Sequence, residues 1–168
     1  MTRYFIGVVS REHVWRGVKL GIAQVGHGKR SGLARMKKGD WFFYYSPKPS
    51  LESKEPLQAF TALGQIADDD IYQVEESATF KPFRRRVNYE TVRETPIQPL
   101  IPSLSFIKNK ARWGYVFRYG LVEIPKSDFE RIARKMRQRS SPLDSSSRRR
   151  EAPPPKAARQ EGRRSSAP

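Results

Sequence analysis

The chain has 168 residues, a formal charge of +16 and no cysteine, with an isoelectric point of about 10.5. That length suits one domain, and the lack of thiols excludes a disulfide scaffold, a Cys-ligated zinc site and thiol catalysis. The charge is spread along the chain: residues 1–136 carry 24 Lys and Arg against 14 Asp and Glu, and residues 137–168 carry nine against three. A body this basic attracts polyanions, so nucleic acid is the expected partner.

Tyr4 to Val9 alternates and becomes β-branched near its end, which predicts a first strand. The stretch is six residues long and Arg11-Glu12 follows. This is too short for a signal peptide or a membrane span, so a soluble, cytoplasmic protein is expected, with nucleoid association as a variant. Ser10 can cap a helix over Arg11 to about Leu20, with Val14, Trp15 and Val18 at helical spacing and Gly21 as its stop. A short turn or helix carries Leu33 and Met36, and Lys37-Lys38-Gly39-Asp40 makes a turn. Trp41 to Tyr45 is a strong strand. Leu57 to Ile66 is another, with Gly64 as a candidate bulge. Phe83 to Tyr89 and Glu90 to Thr95 predict one or two more. Trp113 to Tyr119 and Leu121 to Ile124 supply the last strand material. Pro125 opens a helix to about Met136, with Asp128 favourable near its N-terminus and Phe129, Ile132, Ala133 and Met136 as its apolar stripe. Strands at this spacing with two or three helices predict an α+β domain, a small mixed barrel with helices outside. From about residue 138 Ser, Arg, Pro and Ala replace almost all apolar residues, which predicts a disordered basic tail over 138–168 behind a domain of residues 1–137.

Several segments carry possible chemistry. Phe106 to Tyr115 reads F-I-K-N-K-A-R-W-G-Y. Its cations suit a phosphate backbone and its aromatics suit bases. In Trp41-Phe42-Phe43-Tyr44-Tyr45, alternation sends Phe42 and Tyr44 to one face and Trp41, Phe43 and Tyr45 to the other. Two tyrosines followed by Ser46 fit a half-polar cleft at a strand end, or a face packed under a helix. The loop Gln24-Val25-Gly26-His27-Gly28-Lys29-Arg30 is not a P-loop, because Ala23 stands where the first glycine belongs and Arg30 follows the lysine. Its glycines permit close backbone approach, and Gln24 offers a donor and an acceptor to a base edge. Phe80 to Arg86 repeats the basic-aromatic theme, or is a charged strand edge. His13 reads as a structural or surface residue of the first helix. Asp68-Asp69-Asp70 reads as a solvated turn rather than a metal site. His27 with a carboxylate such as Asp40 is the thin case for a hydrolase.

Taken together, R-Y-F-I-G-V-V-S-R-E-H, G-H-G-K, G-D-W-F-F-Y-Y-S-P, T-F-K-P and S-F-I-K-N-K-A-R-W-G-Y resemble the EVE domain, and more narrowly the bacterial UPF0310 group, from about Thr2 to Met136. The resemblance implies a PUA-like twisted barrel related to YTH domains, with a pocket for one flipped-out, often modified, base. It implies pocket walls from Val9, Ser10, Gln24, His27, Tyr44, Tyr45 and Ser46, with Trp113 beside them. Lys29, Lys108, Lys110 and Arg112 would hold phosphates, and Arg30 and Lys81 join them on charge. Several relatives place a Trp of an aromatic cage after the first helix; Gly21-Ile22-Ala23 stands here, which leaves that side to Gln24. The resulting expectation is a non-catalytic reader of a modified base in DNA or RNA, with no cofactor and no metal. The alternatives are a PUA-type binder of structured tRNA or rRNA, a nucleic-acid hydrolase and a protein adaptor. Deleting residues 138–168 is expected to lower affinity for any nucleic acid and flatten its salt dependence, leaving the ratio of modified to plain base unchanged. Titrations at about 0.05 and 0.2 M salt check both.

Overall fold

The computed structural model describes residues 1–138; the predicted tail, from residue 139 on, lies outside them. Eight strands form one mixed sheet: β1 Tyr4–Val8, β2 Ile22–Ala23, β3 Trp41–Ser46, β4 Ala59–Ile66, β5 Tyr72–Gln73, β6 Phe83–Tyr89, β7 Thr95–Pro96 and β8 Leu121–Ile124. The hydrogen-bonded path runs β2-β6-β4-β3-β1-β8, with β5 beside β6 and β7 beside β4. β1 pairs with β3 in parallel, Ile6 opposite Phe43, and the other ladders are antiparallel. Helices α1 Arg11–Leu20, α2 Arg30–Leu33 and α3 Lys126–Arg137 complete the α+β domain. Among the described residues no helix is long and apolar enough to cross a membrane.

The central strand β3 decides the layers. Alternation sends Phe42 and Tyr44 into a cluster with Phe5, Val14, Leu33, Met36 and Val87. Ala23 of β2 and Leu121 of β8 belong to that same cluster, so the two ends of the path curl around one interior. Phe43 and Tyr45 point the other way, into a second cluster with Phe60, Phe117, Phe129 and Ile132. Phe129 of α3 meets Tyr4 at 4.6 Å, Phe43 at 5.1 Å and Trp41 at 5.4 Å between ring centroids. Both faces of the strand are therefore core, and the two tyrosines have separate surroundings.

Four expectations need correction. Trp113 to Tyr119 is not a strand but part of a 3-10 segment, Lys110–Tyr119, whose start is capped by Asn109 Oδ1 accepting from the Arg112 amide at 3.1 Å. Its aromatics mimic a strand, yet helical spacing brings Trp113 and Phe117 together against Tyr45, with Phe117 stacked at 4.0 Å. Glu90–Thr95 is not a strand; pairing resumes only at Thr95–Pro96. The first helix buries Val14 alone. Trp15 and Val18 are exposed, and the Arg11 guanidinium covers the Trp15 ring at 4.8 Å. The β4 bulge is at Thr61, not Gly64, because Tyr44 faces Ala62 while Tyr45 faces Phe60.

Gly64 has a different task. A β-carbon there would lie 2.6 Å from Val87 Cγ1 and 2.8 Å from the Asn88 carbonyl oxygen, so β6 can cross only a bare backbone. Asp128 likewise does more than complement a helix end. Fully buried, it accepts from the Ser105 hydroxyl and the Phe106 amide, both at 2.8 Å, and so ties the start of the basic-aromatic motif to α3. Gly64→Ala is expected to cost about 1–3 kcal/mol through overpacking, measured as a lower urea midpoint with unchanged slope.

Candidate nucleic-acid interface

Where β1 ends and α1 begins, the surface opens into a cleft of about 400 Å³. Val8, Val9, Ser10 and His13 form one wall, Ile22, Gln24 and Gly26 to Gly28 another, and Tyr44 lies at its base. Phe80, Arg84 and Glu76 come from the β5–β6 region, and Arg118, Tyr119 and Gly120 from the end of the 3-10 segment. Leu20 and Leu51 add exposed apolar surface.

Tyr44 holds this cleft from below. It is 3% exposed, and its hydroxyl accepts from the Gln24 amide at 3.1 Å and donates to the Gln24 carbonyl at 3.2 Å. Burial pushes its ionisation up to about 12, and raises that of Tyr89, whose hydroxyl donates to the Ile22 carbonyl at 2.8 Å. The Gln24 side chain is fixed as well: its Oε1 accepts from Arg84 Nε at 3.1 Å. Arg84 in turn donates to Glu76 at 2.8 Å, and Arg16 lies 3.9 Å from the other Glu76 oxygen. On the opposite wall the Ser10 hydroxyl and His13 Nδ1 share a hydrogen bond of 2.7 Å.

The glycine loop turns tightly. Gly26, His27 and Gly28 all have positive φ, at 57°, 57° and 79°. That conformation is uncommon for histidine and costs on the order of 1–3 kcal/mol where context must enforce it. Pro82 packs close against the loop, since a β-carbon on Gly28 would approach Pro82 Cβ to 2.6 Å, so that position must be glycine. His27 is thereby exposed at the cleft wall.

Of the residues grouped from the sequence, Val9, Ser10, Gln24, His27 and Tyr44 line this one cleft. Tyr45, Ser46 and Trp113 do not. Tyr45 lies in the opposite core, where burial raises its ionisation. Ser46 is fully buried and shares a 2.8 Å hydrogen bond with Thr61. Trp113 packs edge-on against Tyr45 and Phe117. Among the cations, Lys29, Arg30, Lys108 and Arg112 are exposed and their side chains make no ion pair among the described residues. Lys81 pairs with Glu75 at 3.1 Å, and Lys110 Nζ donates to the Leu104 carbonyl at 2.6 Å. Asp40 is spent on the Arg3 and Lys37 amides and is absent from the cleft, so it does not meet His27 there.

Sequence reasoning missed His13, Arg16, Glu76, Arg84 and Arg118 as cleft residues. The run Arg84-Arg85-Arg86 splits into three tasks: Arg84 enters the cleft, Arg85 is 2% exposed and donates to the carbonyls of Leu33, Met36 and Asp68, and Arg86 pairs with Asp68 at 2.9 Å. Strand alternation separates Arg85 from its neighbours; nothing in the sequence alone tells Arg84 from Arg86.

This curled mixed sheet with its helices has the fold of YTH domains. The YTH domain of Zygosaccharomyces rouxii MRB1 protein, in complex with N6-methyladenosine RNA, aligns over 85% of this chain and 92% of its own, with a TM-score of 0.52 at 16% identity. The chain belongs to the EVE domain family, whose model matches residues 3–135. A UPF0310 protein of Mycolicibacterium vanbaalenii is 51% identical over 132 residues, 79% of this chain and 91% of the relative. The UPF0310 protein in gntR 5′ region of Bacillus licheniformis is 50% identical over 127 residues, 76% of this chain and 86% of the relative.

Tyr44→Phe is expected to leave both Gln24 backbone groups unpaired and to cost about 1–3 kcal/mol, read from thermal melting. The raised ionisation fixes a pH window. Tyr44 starts from 10.0 and reaches about 12 in the fold. Its contribution is therefore intact below pH 10 and lost as pH climbs through about 12. A pH series of melts shows that decline in the parent, and less of it in Tyr44→Phe.

Proposed function

We propose that this chain is a non-catalytic nucleic-acid-binding domain that reads one modified base, extruded from its strand into the cleft at the end of β1. The observation that carries this reading is the cleft itself: about 400 Å³, with an anchored polar side chain inside and the exposed rings of Phe80 and Tyr119 on its lining. Extruding a base costs a few kcal/mol, and stacking on an aromatic ring returns about 1–3 kcal/mol per base. Lys29, Arg30, Lys108 and Arg112 supply cations for the backbone on either side. The likeness to a YTH domain in complex with a methylated RNA supports the same reading.

The case for a modified base rests on the apolar part of the lining. Val8, Val9, Leu20, Ile22 and Leu51 give a methyl group apolar side chains to lie against. One buried methyl is worth about 0.8 kcal/mol, roughly fourfold in affinity. The motif containing Trp113 shapes the site indirectly, since its 3-10 segment ends in Arg118 and Tyr119 at the cleft.

Titration of the full chain with matched single strands, plain or carrying one methylated cytosine or adenine, tests the reading. A preference of roughly fourfold or more for one modified strand is expected at about 0.15 M salt. Tyr119→Ala is expected to weaken that strand by about 1–3 kcal/mol, while Trp113→Ala acts mainly on stability. Equal, weak binding to every strand contradicts the proposal and favours structured RNA as the ligand.

A further inference from the structure

Among the described residues Gln24 is the one amide side chain lining the cleft, and an amide presents either a donor or an acceptor according to which way it is turned. Here its direction is set. Arginine can only donate, so the Gln24 oxygen must face Arg84 Nε, 3.1 Å away. Glu76 holds Arg84 from the far side at 2.8 Å, and Tyr44 pins the Gln24 backbone at both its amide and its carbonyl. The Gln24 NH2 group makes no hydrogen bond among the described residues, and it is not among their buried, unpaired atoms, so it remains accessible. Of the other polar side chains on the lining, Arg16, Arg84 and Arg118 only donate, the Glu76 oxygens face Arg84 and Arg16, and Ser10 and His13 are bonded to each other, while His27 and Tyr119, at the exposed rim, can donate or accept.

We infer that Arg84, backed by Glu76, is a positioning residue that fixes Gln24 as a donor, so that the cleft selects a base whose pairing edge carries an unprotonated ring nitrogen. This rests on the base-reading function above and adds its selectivity. Cytosine and adenine present such a nitrogen. Thymine, uracil, guanine and hypoxanthine present a ring N–H there, which would oppose the Gln24 NH2 group donor to donor. A donor held opposite the ring nitrogen disfavours a base with N–H at that position, because both N–H groups are left unpaired unless the base shifts to offer a neighbouring carbonyl oxygen.

The test uses the full chain and labelled nine-residue strands of abasic deoxyribose phosphate, each with one central base: cytosine, thymine, adenine or hypoxanthine. In whichever pair binds more tightly, cytosine is expected over thymine, or adenine over hypoxanthine, by about tenfold in Kd. Gln24→Glu keeps the contact to Arg84 and puts an accepting oxygen where the NH2 group stood, so the order within that pair reverses. Arg84→Met frees the amide to turn and brings the ratio towards one, whereas Arg84→Lys, still only a donor, keeps the parental order. A parental ratio in both Gln24→Glu and Arg84→Met, each shown to be folded by melting, overturns the inference. So does a parent that prefers thymine and hypoxanthine. If those two variants do not fold, the parent decides by NMR. The Gln24 side-chain NH2 signals shift with the preferred base and not with its partner, and equal shifts with both overturn the inference. A parent that binds no base-bearing strand better than the wholly abasic strand defeats the base-reading function itself, and this selectivity with it.

Discussion

A buried hydroxyl joins the core to the cleft. Tyr44 stands on the central strand with its ring in the inner cluster, edge-on to Phe42 at 4.6 Å, and its oxygen reaches both backbone groups of Gln24. Buried backbone groups must find partners, and at this point β2 has ended and no ladder is available to residue 24. The tyrosine replaces the missing strand partner. Because β3 lies between β1 and β4, the cleft inherits the rigidity of the sheet rather than that of a loop.

The basic charge of the chain is divided by burial. Arg85 is structural, satisfying carbonyls where α2 meets the sheet. Arg84 and Arg16 converge on Glu76 at the cleft, a partner that lowers the cost of placing cations there. Arg3 and Arg137 form surface pairs with Glu123 and Glu90, worth little individually. Lys29, Arg30, Lys108 and Arg112 remain as exposed charge on the glycine loop and the basic-aromatic motif. A net charge therefore overstates the cations available to a ligand, and the positions without carboxylate neighbours matter more than the total.

Much of this was legible in the sequence. Period-two alternation in Trp41 to Tyr45 assigns each ring to its face, and Gly21 closes α1 with a positive φ of 65°. The quoted motifs point to the family and to five residues on two walls and the floor of the cleft. What escaped has physical causes. Trp113 to Tyr119 carries strand-like residues, but its packing against Tyr45 is tertiary and overrides local preference. Alternation separates Tyr44 from Tyr45, but not which of the two faces opens into a cleft; the Tyr45 face is closed by Phe117 and Trp113. His13, Glu76 and Arg84 reach the cleft from three separate elements, a convergence that no local spacing encodes. Gly64 looked like a bulge, because a glycine that admits a crossing strand and one that relaxes a ladder are the same letter.

On the proposed function, a base enters the cleft while the strand lies on the cations around it. Backbone amide shifts of the full chain, recorded with a saturating short strand and again with the same strand lacking its central base, test this directly. Val9, Gln24, Gly26 and Gly120 are expected to shift only when the base is present, while Lys29, Lys108 and Arg112 shift with both strands. Identical shifts with the two strands, or none at the cleft, would show that the surface binds phosphate alone and would contradict it.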